Sequence, residues 1–309
     1  MQAKDDYQVR NYRTADLDSY HQFCLDTELI HSQKGASSQD LLGEKLRRPN
    51  YDPEKDLFVA QAGNKIVAHL DITAEPGIDR ALLECLVHPD YRRRGIGSRL
   101  LEGALARLEE LGISQAQFNV LEDNKIGQEF LTQRDFSHIR GFLELRTPVE
   151  DVAWQHPPVP SGLAYRHMRK GEEAVLAQLQ NQCFTGSWGF HPNTEEDIIY
   201  MTTLTGHAVK DVMVAEFDGK MIAYCWVTRK GDEPVGRVHM IGVDPQYRGM
   251  KLGRGVLMRG LKHLKDLGIE ELEVTVDSQN QAAYRLYLDV GFRVWKISLW
   301  YQRRVGQPA

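Results

Sequence analysis

Apolar residues recur along this chain in two periods, every second residue in short runs and every third or fourth in longer ones, and the runs come in a fixed order. DLFVAQ and KIVAHLDIT flank Ala62, Gly63 and Asn64, and DVMVAEF and KMIAYCWVT flank Asp218 and Gly219, a dipeptide favoured in two-residue hairpins. Each pair predicts a β-hairpin. A third apolar run, ALLECLV or VHMIGV, passes through a His-Pro or Asp-Pro step into a Gly-rich turn. Beyond the turn, Leu100, Leu101, Ala104, Leu105 and Leu108 fall on one helical face, as do Leu257, Leu261, Leu264 and Leu267. A further strand, QAQFNVL or ELEVTV, then a short helix and a closing strand, HIRGFLELR or RVWKISLWYQ, complete each series.

The same order therefore occurs twice. Phe58 to Phe136 reappears as Met213 to Phe292, and Arg92 to Asn124 and Arg248 to Asn280 are each 32 residues apart. A unit of about 150 residues can bury its own core, whereas solenoid repeats run roughly 20 to 50 residues, so the repetition implies two whole domains. The boundaries read as 1–146 and 163–309. TPVEDVAWQHPPVPSG, with four prolines and no helical period, reads as a semi-extended linker over 147–162. Hairpins followed by a helical crossover predict the fold class α+β, with a mixed, largely antiparallel sheet in each domain.

Composition narrows the function more than the fold. Hydrophobic residues at 42% and charged residues at 26% suit a globular protein, and a net charge of −5 with interspersed signs gives no electrostatic case for nucleic acid. No apolar run is long enough for a membrane span, and MQAKDDYQVR lacks the apolar stretch of a secretion signal. Cys24, Cys85, Cys183 and Cys225 are scattered without a CxxC pair, as expected of free thiols in a reducing cytoplasm, and no metal site is expected.

The turn Arg92-Arg93-Arg94-Gly95-Ile96-Gly97-Ser98 lies between a strand and a helix, where converging N–H groups and the positive end of a helix make an anion site. Its spacing, R-x-x-G-x-G, is neither the dinucleotide-binding G-x-G-x-x-G nor a Walker loop. Together with the preceding V-x-P-x-Y-R and the downstream N-x-x-A-x-x-L-Y-x-x-x-G-F, complete in Asn280, Ala283, Leu286, Tyr287, Gly291 and Phe292, it resembles the GNAT superfamily of acyl-CoA N-acetyltransferases. The resemblance covers nearly the whole chain twice, as in the tandem type represented by mycothiol synthase and its relatives.

That resemblance implies two tandem GNAT-like domains, with acetyl-CoA as co-substrate and an amine acceptor as the other partner. Residues 92–98, and Arg248, Gly249, Met250, Lys251, Leu252 and Gly253 in the second copy, would hold the pyrophosphate, with Asn280 nearby. Cys85 and Val87, or Ile241 and Val243, would offer backbone groups to the pantetheine. It implies further that the tyrosine of the Leu-Tyr pair protonates the departing thiolate, which nominates Tyr287, where the first copy has Leu131.

Counting back by odd steps from the loop arginine reaches Arg237 and His239 in the second copy but Ala81 and Leu83 in the first, and puts Glu84 on the other face. His239 reads as a base or as a hydrogen-bonded strand histidine. Lysine at 251, where the first copy has Gly95, predicts a weaker second cradle if that position requires positive φ. Trp188, Phe190 and Glu196 form an acceptor-side cluster whose acidic members equally read as a helix start. The expectation is amine acetylation in the second domain, the first being a non-catalytic or CoA-binding copy. A non-catalytic acyl-CoA-binding scaffold and a protein N-acetyltransferase stay open.

Overall fold

The computed structural model describes residues 7–31, 39–155, 158–229 and 233–306. The chain divides into two compact units, residues 1–139 with 299–309, and residues 140–298.

The first unit contains β1 (Gln8–Asn11), α1 (Leu17–His31), α2 (Gln39–Leu46), the short α3 (Pro53–Asp56), β2 (Leu57–Ala62), β3 (Lys65–Glu75), β4 (Arg80–Val87), α4 (Ile96–Glu110), β5 (Gln115–Leu121) and α5 (Lys125–Thr132). Its strands run in the order β1-β2-β3-β4-β5, antiparallel except for the β4–β5 pair. Helix α4 lays Leu100, Leu101, Ala104 and Leu108 on one face of the sheet, against Ala68, Leu70 and Ile72. On the other face, Tyr20 and Phe23 of α1 and Leu42 and Leu46 of α2 cover Leu57, Val59 and Ile66. Each such leucine buries side-chain area worth roughly 1.5–3 kcal/mol.

The strand β6 (Ser137–Pro148) ends the first repeat, yet Phe142–Pro148 pair antiparallel with the second unit. That unit continues with β7 (Leu163–His167), α6 (Glu173–Phe184), α7 (Glu195–Thr203), β8 (Val212–Phe217), β9 (Lys220–Arg229), β10 (Val235–Val243), α8 (Leu252–Asp266), β11 (Glu271–Asp277), α9 (Gln281–Val290) and the start of β12 (Arg293–Arg304). Its strand order is β6-β11-β10-β9-β8-β7, with β10 and β11 parallel. The hairpin turn adopts positive φ at both residues, 49° at Asp218 and 77° at Gly219, as the Asp-Gly pair predicts. Helices α8 and α9 cover one face, with Val256, Leu257, Leu261 and Val290 in the core; α6 and α7 cover the other, with Leu176, Leu179 and Ile198.

The compact units differ from the repeat units at both ends. Residues 140–146 belong to the second unit, and the end of β12 returns to the first. There Gln117 donates to Gln302 at 2.7 Å and the Val305 N–H donates to the Ser114 carbonyl at 2.8 Å. Repeat boundaries mark where a strand stops, and they carry no information on which sheet edge it joins. The stretch expected as a linker is also largely packed. Thr147 and Pro148 close β6, Val149 and Val152 are buried in the second core with Trp154 against it, and the Ala153 N–H donates to the Val290 carbonyl at 2.9 Å. Residues 156–157 of that stretch lie outside the described residues. None of the four cysteines forms a disulfide; Cys183 and Cys225 are buried and Cys24 and Cys85 partly so.

Candidate active site

Both parallel pairs come apart partway along. The β4–β5 register runs from Arg80–Gln115 to Leu83–Phe118, and the β10–β11 register from Val235–Glu271 to Val238–Val274. Beyond those points the strands diverge, leaving the β4 and β10 backbone edges toward the gap without a strand partner. Such an edge accepts an extended ligand by backbone hydrogen bonding. Cys85, Val87, Ile241 and Val243 lie on these segments, and all four side chains pack toward α4 or α8. Burial pushes the Cys85 thiol up to about 12, so it stays a neutral wall of the gap.

The cradle loops follow each gap. In the first, Arg93 and Gly95 take left-handed conformations with φ of 63° and 80°; in the second, Gly249 and Lys251 do so with φ of 85° and 58°. Both loops thus need two left-handed residues, and each supplies glycine at one position and a cation at the other. Lys251 does adopt the strained conformation, but Arg93 carries the same strain in the first copy, so this feature does not make the second loop the weaker. Ile96 and Leu252 anchor the helix starts in the core, and the first-turn N–H groups have no acceptor within their own helix.

The arginines that open the loops are engaged within the protein. Arg92 donates to the Val87 carbonyl at 3.1 Å, Arg248 to the Cys183 carbonyl at 3.0 Å, and Arg94 to the Asp90 carbonyl at 2.9 Å. Ser98 accepts from Arg134. Arg93, Gly249 and Met250 are exposed, and a Cβ on Gly253 would meet nothing closer than 3.7 Å, so the approach to α8 is open. Asn280 caps α9 by accepting from the Ala283 N–H at 3.1 Å, as Asn124 caps α5.

Tyr287 sits on α9 at 3% exposure, its ring edge-on to Phe292 at 5.9 Å. Burial, with a smaller contribution from Cys225, raises its pKa and keeps the hydroxyl protonated. Leu131 occupies the equivalent place in the first unit at 1% exposure.

His239 departs from the even alternation of a strand. The register against β9 shifts between Val238 and Met240, so His239 is an extra, bulged residue. Its ring lies edge-on to Trp226 at 5.3 Å, in the α6 side of the unit, whereas Ile241 packs toward α8. Counting by odd steps would put both on one face, and the bulge invalidates that count. The side chain is exposed beside Trp226. Desolvation first, then the charges of His207 and Arg237, lower its pKa to about 4. Arg237 itself donates to Thr275 at 2.6 Å.

The first unit has no such bulge: β4 pairs with β3 in unbroken register from Val87 to Arg80. Leu83 therefore faces α4, and Glu84 projects toward α1 and α2, as its parity predicts. That is the face on which the second unit carries His239. By face rather than alignment, Glu84 is its counterpart, which the sequence comparison missed.

On the acceptor side, Trp188 lies 5.8 Å from Phe142 with the Arg140 guanidinium 5.4 Å from its ring, and Phe190 stacks on Phe184 at 5.2 Å. The acidic run starts α7. Thr194 is the N-cap and forms a reciprocal capping box with Asp197, while Glu196 is exposed in the first turn. The structure thus brings Trp188 and Phe190 into aromatic clusters and leaves Glu196 on a helix start. Among the described residues there is no cluster of three or more metal-ligating side chains and no helix long and apolar enough to cross a membrane.

The chain matches the Acetyltransferase (GNAT) family over residues 20–136 and 173–292. It is 30% identical over 241 residues to a mycothiol acetyltransferase of Thermomonospora curvata, covering 76% of this chain and 77% of the relative. A mycothiol acetyltransferase of Stackebrandtia nassauensis is 25% identical over 280 residues, covering 87% of this chain and 89% of the relative. Among solved structures, a GCN5-related N-acetyltransferase from Sphaerobacter thermophilus superposes with a TM-score of 0.76 at 17% identity, covering 100% of this chain and 98% of that one. A tandem GNAT protein from the clavulanic acid biosynthesis pathway does so with a TM-score of 0.77 at 16% identity, covering 98% and 100%; these two likenesses concern the fold. With two family regions, each built on a splayed parallel pair and a cradle loop, the chain belongs to the GNAT acetyltransferase family.

Proposed function

We propose that the chain transfers the acetyl group of acetyl-CoA to the primary amine of a small molecule, by direct attack in the second unit. The observation that carries this reading is that Tyr287 and His239 lie on opposite faces of the sheet that holds the β10–β11 pair. A thioester held in the gap would present its carbonyl to an amine arriving from the α6 side and its sulfur to α9. His239, neutral at physiological pH, takes the proton released by the attacking amine. Tyr287, kept protonated by burial, returns one to the departing thiolate. Trp188 and Phe190 would wall the acceptor groove.

Residues 92–98 and 248–253 would hold the CoA pyrophosphate on the first-turn N–H groups of α4 and α8. The name shared by the relatives makes mycothiol acetyltransferase activity the first to assay. The test is incubation with isotopically labelled acetyl-CoA and a panel of small amines and intact proteins, followed by mass spectrometry. Labelled small-molecule amides support the reading. Labelled protein N-termini alone would replace it with protein acetylation, and no acetyl-CoA consumption would leave a binding scaffold.

A further inference from the structure

The polar residues of the first unit on the α1–α2 face of its sheet surround one amine that belongs to the chain itself. Lys45 Nζ, on α2, lies 3.0 Å from Glu84 Oε2 and 3.5 Å from Asp71 Oδ2. Asp71 is fixed from its other side by Arg48 at 2.9 Å and by the Tyr51 hydroxyl at 2.7 Å. Beside it, Tyr20 and His69 Nδ1 are 2.8 Å apart, and the buried His69 Nε2 has no hydrogen-bond partner. Glu84 is the first β4 residue past the last paired position, Leu83–Phe118, and so stands at the mouth of the first gap. Its side chain is 65% exposed and that of Lys45 40%, so the pair is reachable by solvent and ligand.

We propose that Lys45 is a self-acetylation site: acetyl-CoA held in the first gap acetylates the Lys45 amine within the same chain. This rests on the reading that the first gap and residues 92–98 bind acetyl-CoA. Neutral Lys45 Nζ attacks the thioester carbonyl, the new C–N bond forms and the C–S bond breaks. The proton lost from nitrogen passes to Glu84, directly or through water. The CoA thiolate leaves and takes a proton from solvent, since Leu131 stands where a tyrosine would otherwise supply one. Acetyl-Lys45 is uncharged, so its ion pairs with Glu84 and Asp71 are lost, while Asp71 keeps Arg48 and the Tyr51 hydroxyl.

The electrostatics set the rate. Burial alone would lower the Lys45 pKa, but Glu84 and Asp71 outweigh it together with the opposing charge of Arg48, and the net direction is up. The reacting neutral amine is therefore a minor fraction near neutrality. The reaction accelerates about tenfold per pH unit until the lysine titrates. His69, Tyr20, Tyr51, Cys24 and Cys85 are further titratable groups around the cluster among the described residues, from β3, α1, the segment after α2 and β4.

The test uses the full chain incubated with carbon-13 acetyl-CoA at pH 7, 8 and 9, digested and analysed by mass spectrometry, with exposed Lys65 of the same unit as the reference for uncatalysed labelling. Lys45 is expected to label at least about tenfold faster than Lys65, and excess free CoA is expected to suppress Lys45 labelling but leave Lys65 unaffected. In parallel, hydrogen exchange of residues 92–98 with and without CoA reports donor binding to this unit. Protection of the loop with Lys45 labelled no faster than Lys65 overturns the proposal alone. Absence of protection overturns the donor-site reading and the proposal with it.

Discussion

His239 and Ile241 stand two residues apart on β10 yet face opposite sides of the sheet, because an extra residue is inserted between Val238 and Met240. The bulge delivers an imidazole to the groove without disturbing the strand edge that follows. With its pKa lowered, His239 is unprotonated at neutral pH and has a nitrogen lone pair free to accept a proton. His239→Ala should lower kcat about 100-fold. The pH profile of the unaltered enzyme should show no histidine limb near 6.5, and stopped-assay kinetics from pH 5 to 9 on both proteins checks this.

Lys251 and Arg93 each occupy a left-handed position where a side chain is strained, and each pairs with a glycine two residues away. Lys251→Gly should stabilise the second unit by about 0.5–1 kcal/mol, the steric relief exceeding the added freedom of the unfolded chain. Denaturant unfolding compares the midpoints. If the ammonium also reaches a phosphate, the same variant will raise the KM for acetyl-CoA.

Gly253 has space for a methyl group, with Leu286 and Val243 both 3.7 Å from a Cβ built there. Gly253→Ala should leave the melting temperature nearly unchanged. Its KM for acetyl-CoA should rise about tenfold, because the added carbon lies at the helix start that the pyrophosphate would approach. A melting curve and a donor titration separate the two effects.

His69 gives the first unit an acid sensitivity of definite sign. Burial lowers its pKa in the folded state, so the unfolded chain binds its proton first as pH falls. Stability from this group is fully present above the unfolded value of about 6.5 and is lost as pH drops below it toward the folded pKa. His69→Gln should flatten the pH dependence of unfolding between pH 7 and 5, measured by urea titration at several pH values.

Much of this was legible in the residues. The Asp218-Gly219 hairpin, the strand-to-cradle step and the contrast of Tyr287 with Leu131 follow from local chemistry, which a sequence states directly. The faces of β10 did not, because alternation holds only for a regular strand and nothing in VHMIGV marks the bulge. The same count paired His239 with Leu83, when the residue sharing its face is Glu84. Glycine counting ranked the cradles unequally because it took only position 251 as possibly left-handed, whereas position 93 is strained as well. The end of β12 joins the first unit through contacts as distant as Gln117 with Gln302, beyond the reach of any local pattern.

The central claim is that acetyl transfer to the amine acceptor is completed in the second unit, and Tyr287→Phe tests it most directly. The substitution removes one buried hydroxyl and keeps the ring against Phe292, so the fold is retained. Steady-state turnover with an accepted amine should fall about 100-fold in kcat with the KM for acetyl-CoA unchanged. Full turnover by the variant would contradict the account.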